Sequence, residues 1–134
     1  MTCQLFWVPP GNLAEVWPKV EPLIREAMRR GNLSRLSDVV QSLADGHSTL
    51  WVACEDQEII AAAVARIAQT EWRRVCEIVA LGGKDRGKWL SFEPEIERWA
   101  REQSCSAMRI MGRKGWAKVL PDYRVTRIVL EKEL

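Results

Sequence analysis

The stretch Arg73-Arg74-Val75-Cys76-Glu77-Ile78-Val79-Ala80-Leu81, followed by Gly82-Gly83-Lys84-Asp85-Arg86-Gly87-Lys88, decides the fold. Its first part is rich in β-branched and apolar side chains and predicts a strand over 73–81. The glycine-rich, charged segment behind it is a loop by composition. Phe92, Ile96, Trp99 and Ala100 then recur at helical spacing and predict a helix over about 92–103. Ala107 to Met111 predicts a further strand. A strand, a crossover helix and a second strand imply parallel neighbours, because the helix carries the chain back to the starting end of the sheet.

Working outward, Gln4 to Val8 reads as a first strand stopped by Pro9-Pro10-Gly11. Asn12 and Glu15 have capping-box spacing, so a helix begins near Asn12. Trp17, Val20, Ile24, Ala27 and Met28 continue it at helical spacing. Pro18 and Pro22 predict a short turn first and the main helix from about Pro18 onward, with Gly31 as its stop. A second helix is predicted over about 37–45, ended by Gly46, with Leu36, Val39, Val40 and Leu43 on its apolar face. Ser48 to Cys54, Ile59 to Thr70 and Arg73 to Leu81 read as an antiparallel meander, turned at Glu55-Asp56-Gln57-Glu58. Trp116 to Leu120 predicts one or two helical turns halted by Pro121. Val125 to Glu131 predicts a last strand, with Thr126, Ile128 and Leu130 on one face.

The expected architecture is thus one α/β domain over 1–134, in the order β-α-α-β-β-β-α-β-α-β. Its sheet is mixed, mostly antiparallel, and flanked by helices. Trp51, Ile78, Ile96, Trp99, Ile110 and Ile128 are its expected buried side chains.

Composition narrows the function. Apolar residues make up 47% and charged residues 28%, the balance of a globular domain. Lys and Arg total 20 against 18 for Asp and Glu, so net charge favours neither nucleic acid nor an anionic membrane. Arg109, Arg113, Lys114, Lys118, Arg124 and Arg127 do concentrate near the C-terminal end around Trp116. Arg124 and Arg127 are balanced by Glu131 and Glu133, and a charged outer strand explains the pattern better than a phosphate surface does. Cys3, Cys54, Cys76 and Cys105 are scattered, and His47 is the sole histidine, so the usual zinc ligand sets are excluded. The longest apolar run, Ile59 to Ala65, is far too short to span a bilayer. With no basic n-region or long apolar segment at Met1-Thr2-Cys3-Gln4, the expectation is a cytoplasmic protein with reduced thiols.

The element order, together with several local motifs, resembles the GNAT acetyltransferase superfamily. Cys54-Glu55-Asp56-Gln57-Glu58-Ile59-Ile60-Ala61 resembles that family's second hairpin, and Cys76-Glu77-Ile78-Val79-Ala80-Leu81 its fourth strand. Arg86-Gly87-Lys88 resembles the start of its pyrophosphate loop, and Cys105 to Gly112 its fifth strand. Gly112-Arg113-Lys114-Gly115-Trp116 with Leu120 to Leu134 is similar to the end of small phage and prophage GNAT-like proteins. The loop departs from the family pattern Q/R-x-x-G-x-G/A. Along Lys84-Asp85-Arg86-Gly87-Lys88-Trp89 a single glycine matches, and Trp89 stands where a small residue belongs. Pro94 also constrains where the following helix can begin.

The resemblance implies an N-acetyltransferase that moves an acetyl group from acetyl-CoA to an unidentified amine. It implies cofactor contacts at Leu81, Gly82, Gly83, Arg86, Gly87 and Lys88, since a pyrophosphate needs backbone N–H donors at close approach. Glu77 is its candidate base, with a surface carboxylate as the plain alternative. Tyr123, the only tyrosine, is its candidate acid, with packing on the sheet as the plain alternative. The competing function is a catalytically inactive GNAT-fold binding or assembly protein, phage-encoded in one version. His47 reads as a solvated turn residue and the cysteines as structural thiols. Neither a membrane nor a nucleic acid is an expected partner, and homo-oligomerisation stays open.

Overall fold

The computed structural model describes residues 3–29, 35–112 and 115–134. A five-stranded sheet runs in sequence order, β1 (Cys3–Val8), β2 (Ser48–Glu55), β3 (Glu58–Gln69), β4 (Arg74–Gly83) and β5 (Ala107–Ile110). The first four strands pair antiparallel and β4 pairs β5 in parallel, with Val75 opposite Ala107 and Ile78 opposite Ile110. The β2–β3 hairpin turns at Asp56 and Gln57, both at positive φ, within the polar turn read from the sequence.

Two helices cover one face. α1 (Leu13–Met28) buries Val20, Ile24 and Met28, and α2 (Leu36–Ala44) buries Val39 and Leu43, all against Leu50, Val52, Ala62, Val64 and Ala80 of the sheet. α1 differs from its expected form. It starts at Leu13 and runs through both Pro18 and Pro22, after a 3-10 turn over Pro10–Asn12. Both prolines lie on the exposed side, where the carbonyls they leave unpaired face water. Asn12 makes no cap bond to the backbone; its Nδ2 donates to Glu15 Oε2 at 3.5 Å. Gly31, the expected stop, lies outside the described residues, as do Arg113 and Lys114.

The other face is covered by the crossover. A single turn, α3 (Arg86–Trp89), passes through a 3-10 turn into α4 (Glu93–Glu102). The helix expected over about 92–103 forms as α4, with Pro94 at a first-turn position, whereas the turn α3 lies largely in the segment expected as a loop. Ile96 and Ala100 of α4 pack on Trp51, Ala63, Ala65 and Cys76. Trp99 is half-buried and stands edge-on to Trp51, ring centroids 5.5 Å apart. Trp51, Ile78 and Ile96 are buried as expected, while Ile110 is half-buried.

The last expected strand is not formed. After α5 (Trp116–Val119), residues 121–134 carry no regular secondary structure, and Ile128 is 80% exposed. A strand needs a neighbour for its N–H and C=O groups, and among the described residues 125–131 has none. The sheet class stands; the terminal β of the predicted order and a buried Ile128 do not.

Candidate active site

β4 and β5 part within the strand read over 73–81, ahead of the loop that starts at Gly82. Their pairing ends at Ile78 and Ile110, with a last bond from Met111 N–H to Ile78 O at 3.2 Å, yet β4 continues to Gly83. The split coincides with an irregularity in β4. Val64 opposes Ala80 and Ala65 opposes Ile78, so Val79 is an extra residue, a β-bulge. The result is a gap beside the C-terminal half of β4. Lys84 N–H bonds Ile60 O at 2.8 Å. By the alternation of an antiparallel ladder, the N–H groups of Leu81 and Gly83 therefore point away from β3, toward the gap.

The glycines of this strand are required by packing. A Cβ at Gly83 would lie 2.5 Å from both Ala61 Cβ and Ile60 O, and one at Gly82 would lie 3.0 Å from Leu23 O of α1. Gly87 is the opposite case. A Cβ there would meet nothing within 4 Å, so the first turn of α3 is open to a large ligand. Arg86 is exposed beside it. Lys88 is committed to its own surroundings: Nζ contacts Glu55 Oε1 at 2.8 Å and Asp85 Oδ2 at 3.9 Å, and its N–H bonds Asp85 O at 2.8 Å. Trp89 turns inward. It is 6% exposed, packs on Ala53, Ile60 and Ala61, and donates Nε1–H to Lys84 O at 2.7 Å. Its indole therefore closes the loop from below and leaves the outer side free.

Glu77 is buried, at 5% exposure, and both its oxygens are engaged. Arg66 Nε donates to Oε1 at 2.9 Å and Arg109 Nη1 to Oε2 at 3.2 Å. Tyr123 lies far along the chain from Glu77 but meets a carboxyl that sequence reasoning missed. Its hydroxyl donates to Glu93 Oε2 at the start of α4. Glu93 is half-buried and lines an apolar cavity of about 40 Å³ with Ile78, Leu81, Trp89, Ile96 and Leu120 among its walls. Burial, and next the neighbouring Glu97, push the Glu93 carboxyl up to about 7, while the Tyr123 bond pulls it down. Burial and the same bond push the Tyr123 phenol upward, so it stays protonated. The available sequence signal for Glu93 was its spacing of four from Glu97, which puts two like charges on one helix face.

His47 is exposed, as expected. All four cysteines are free, and burial raises each thiol, Cys76 to about 12. No group of metal-ligating side chains occurs among the described residues, and none of their helices is long and apolar enough to cross a membrane.

No protein-family model matches the chain, and no curated protein matches it in sequence. Solved structures do match its fold. An aminoglycoside acetyltransferase from an uncultured soil metagenomic sample, in complex with sisomicin, superposes with a TM-score of 0.73 at 11% identity, over 98% of this chain and 96% of that one. A predicted acetyltransferase with acetyl-CoA from Clostridium acetobutylicum gives a TM-score of 0.72 at 14% identity, over 98% and 96%. The aminoglycoside antibiotic 6'-N-acetyltransferase of Acinetobacter baumannii gives 0.66 at 15% identity, over 99% of both chains. At these identities the likeness is one of fold, and the fold is the one the GNAT resemblance implied: this chain is built as these acetyltransferases are.

Proposed function

We propose that this protein is an N-acetyltransferase that takes its acetyl group from acetyl-CoA and passes it to an amine. The observation that carries the reading is the split of the parallel β4–β5 pair at the Val79 bulge, which leaves a slot with free N–H groups at Leu81 and Gly83. An extended pantetheine arm fits such a slot as a strand substitute. The Leu81 and Gly83 N–H groups suit the thioester carbonyl, whose oxygen gains charge as the amine attacks. Gly82 turns its N–H to β3 and serves by its closeness to α1. At the pyrophosphate the reading assigns the Arg86 guanidinium and the open backbone of Gly87, with Lys88 a weaker contributor because Glu55 holds it.

The amine nitrogen forms the amide bond as the C–S bond breaks. It gives up a proton, and the departing thiolate takes one. Two carboxyls compete as proton acceptor. Glu77 has each oxygen held by a guanidinium, with lone pairs left over. Glu93 borders the apolar cavity beneath Ile78 and Leu81 and sits near 7, where a general base is effective. We assign proton handling to Glu93 with Tyr123 as its hydrogen-bond partner, and give Glu77 the task of fixing the strands that form the slot.

Calorimetric titration with acetyl-CoA tests the binding step without knowledge of the acceptor. Release of free CoA thiol, followed across a panel of amines, tests transfer. The second reading is an inactive binding or assembly protein of this fold. The internal commitment of Lys88 favours it, and an absence of binding at millimolar acetyl-CoA would leave it standing.

A further inference from the structure

Beneath α3 and α4 the sheet is cut back to small side chains. Ala53 and Ala61 face each other across β2 and β3, and Ala63 follows on the same face. Alanine is a poor strand residue, and a sheet packed under helices is normally filled by larger, branched side chains. The three alanines leave a cavity of about 40 Å³, with Trp89 and Ile96 on its helical side. A space of that size holds about three water-sized groups. Ile78 and Leu81, which flank the slot between β4 and β5, line it as well, so it adjoins the place proposed for the thioester. On the strength of the acetyl-transfer reading, we infer that the acceptor is a small primary monoamine. Its apolar body, about three or four carbons, fills this cavity while its nitrogen meets Glu93.

Charge selects a single ammonium group. Among the described residues Glu93 is the one charged side chain that lines the cavity. Its Oε2 accepts the Tyr123 hydroxyl, and the acids Glu97 and Asp122 act on the same carboxyl, so a cation is attracted to that end. The polar atoms elsewhere in the wall are already used. Trp51 Nε1–H donates to Thr49 Oγ1 at 2.9 Å and Trp89 Nε1–H to Lys84 O at 2.7 Å. A hydroxyl or a second ammonium on the body of the amine would therefore be buried without a partner. A polycationic aminoglycoside suits neither the volume nor the walls. The opposite face of β4 offers no such room, since a Cβ at Gly82 would lie 3.0 Å from Leu23 O and 3.2 Å from Ala27 Cβ.

The test uses the full chain with acetyl-CoA and follows release of the CoA thiol. Propylamine and isobutylamine should show a kcat/KM about tenfold or more above that of trimethylenediamine and propanolamine, whose added polar group goes unpaired. The aminoglycoside sisomicin should be a poorer acceptor still. Ala63→Leu fills the cavity and should shift the preference from isobutylamine toward methylamine by about tenfold. Diamine or sisomicin turnover that equals the monoamines overturns the inference, as does an unchanged preference in an Ala63→Leu protein that melts as the parent does. Acetyl-CoA binding by calorimetry without turnover of either monoamine overturns the inference alone. An absence of acetyl-CoA binding removes the acetyl-transfer reading and the inference with it. The comparison of amines uses the unmodified chain, so it decides the matter even if Ala63→Leu misfolds.

Discussion

Glu77 and Arg109 face each other across the parallel β4–β5 pair, and Arg66 of β3 approaches the same carboxylate from the other side. The three are register partners, Arg66 opposite Glu77 and Glu77 opposite Arg109, so one charged row ties three strands together just before the slot opens.

Removing the charge of Glu77 should therefore act on stability. Glu77→Gln leaves Arg109 largely enclosed with no counter-charge. Breaking a buried pair by deleting one partner costs ~3–5 kcal/mol. Arg66 can turn to solvent, so the expected loss here is about 2–3 kcal/mol in a urea melt. Acetyl-CoA binding should weaken in step if the slot loosens. A variant of parental stability whose turnover alone is slowed would restore Glu77 as the base.

The Glu93–Tyr123 pair gives a pH dependence with a defined sign. Burial raises the Glu93 carboxyl from an ordinary 4.5 to about 7 in the folded protein. Between those values the folded state binds more protons than the unfolded one, so stability falls as pH rises through the window. The contribution is complete below 4.5 and lost above about 7. Glu93→Gln should flatten this slope in melts taken across the range. Tyr123→Phe should move its upper end to higher pH, because the phenol bond is what holds the carboxyl down. A slope unchanged in Glu93→Gln would show that another group titrates there.

The parallel pair, the meander and the two helical layers were legible because each rests on a local pattern of ten or so residues. Val75 to Leu81 reads as a strand wherever it is placed, and Ile96 with Ala100 reads as a helix face. The Glu93–Tyr123 bond was not legible, since it joins residues 30 apart in sequence and depends on where the tail leaves α5. Nor was the inward turn of Trp89, which needed the small side chains Ala53 and Ala61 beneath it. The failure at 125–131 is of another kind. The strand pattern is present, but a strand exists only when an edge receives it, and the pattern does not say whose.

The glycines separate two uses of the same residue. Gly83→Ala drives a methyl group into Ile60 O and Ala61, and overpacking of this sort costs about 1–3 kcal/mol. Gly87→Ala meets open space in a helical turn and should be neutral or stabilising by up to about 1 kcal/mol. Gly87→Glu should leave the melt unchanged and abolish acetyl-CoA binding, since a carboxylate would stand beside two phosphates. Retained binding in Gly87→Glu would remove the loop from the proposed site.

Trp89 connects the loop to the core, and its variants should separate the two. The indole is enclosed by Ala53, Ile60 and Ala61, and truncation of a buried tryptophan costs ~3–5 kcal/mol. Trp89→Ala should fall in that range by urea melt. Trp89→Phe keeps most of the apolar contact but leaves Lys84 O without its donor, so the loss should be nearer ~1 kcal/mol. The bond to Lys84 O also sets the path of the chain from Gly83 into α3. Without it Arg86 and Gly87 are no longer held in place, and acetyl-CoA affinity should drop in Trp89→Phe although the fold survives. Because the ring points away from the outer side of the loop, the cofactor should not touch it. The fluorescence change on acetyl-CoA titration should then be the same in parent and Trp89→Phe at saturation. A change that vanishes in Trp89→Phe would place the indole against the ligand, and the loop would then have to open by swinging the ring out from over Ala53 and Ala61.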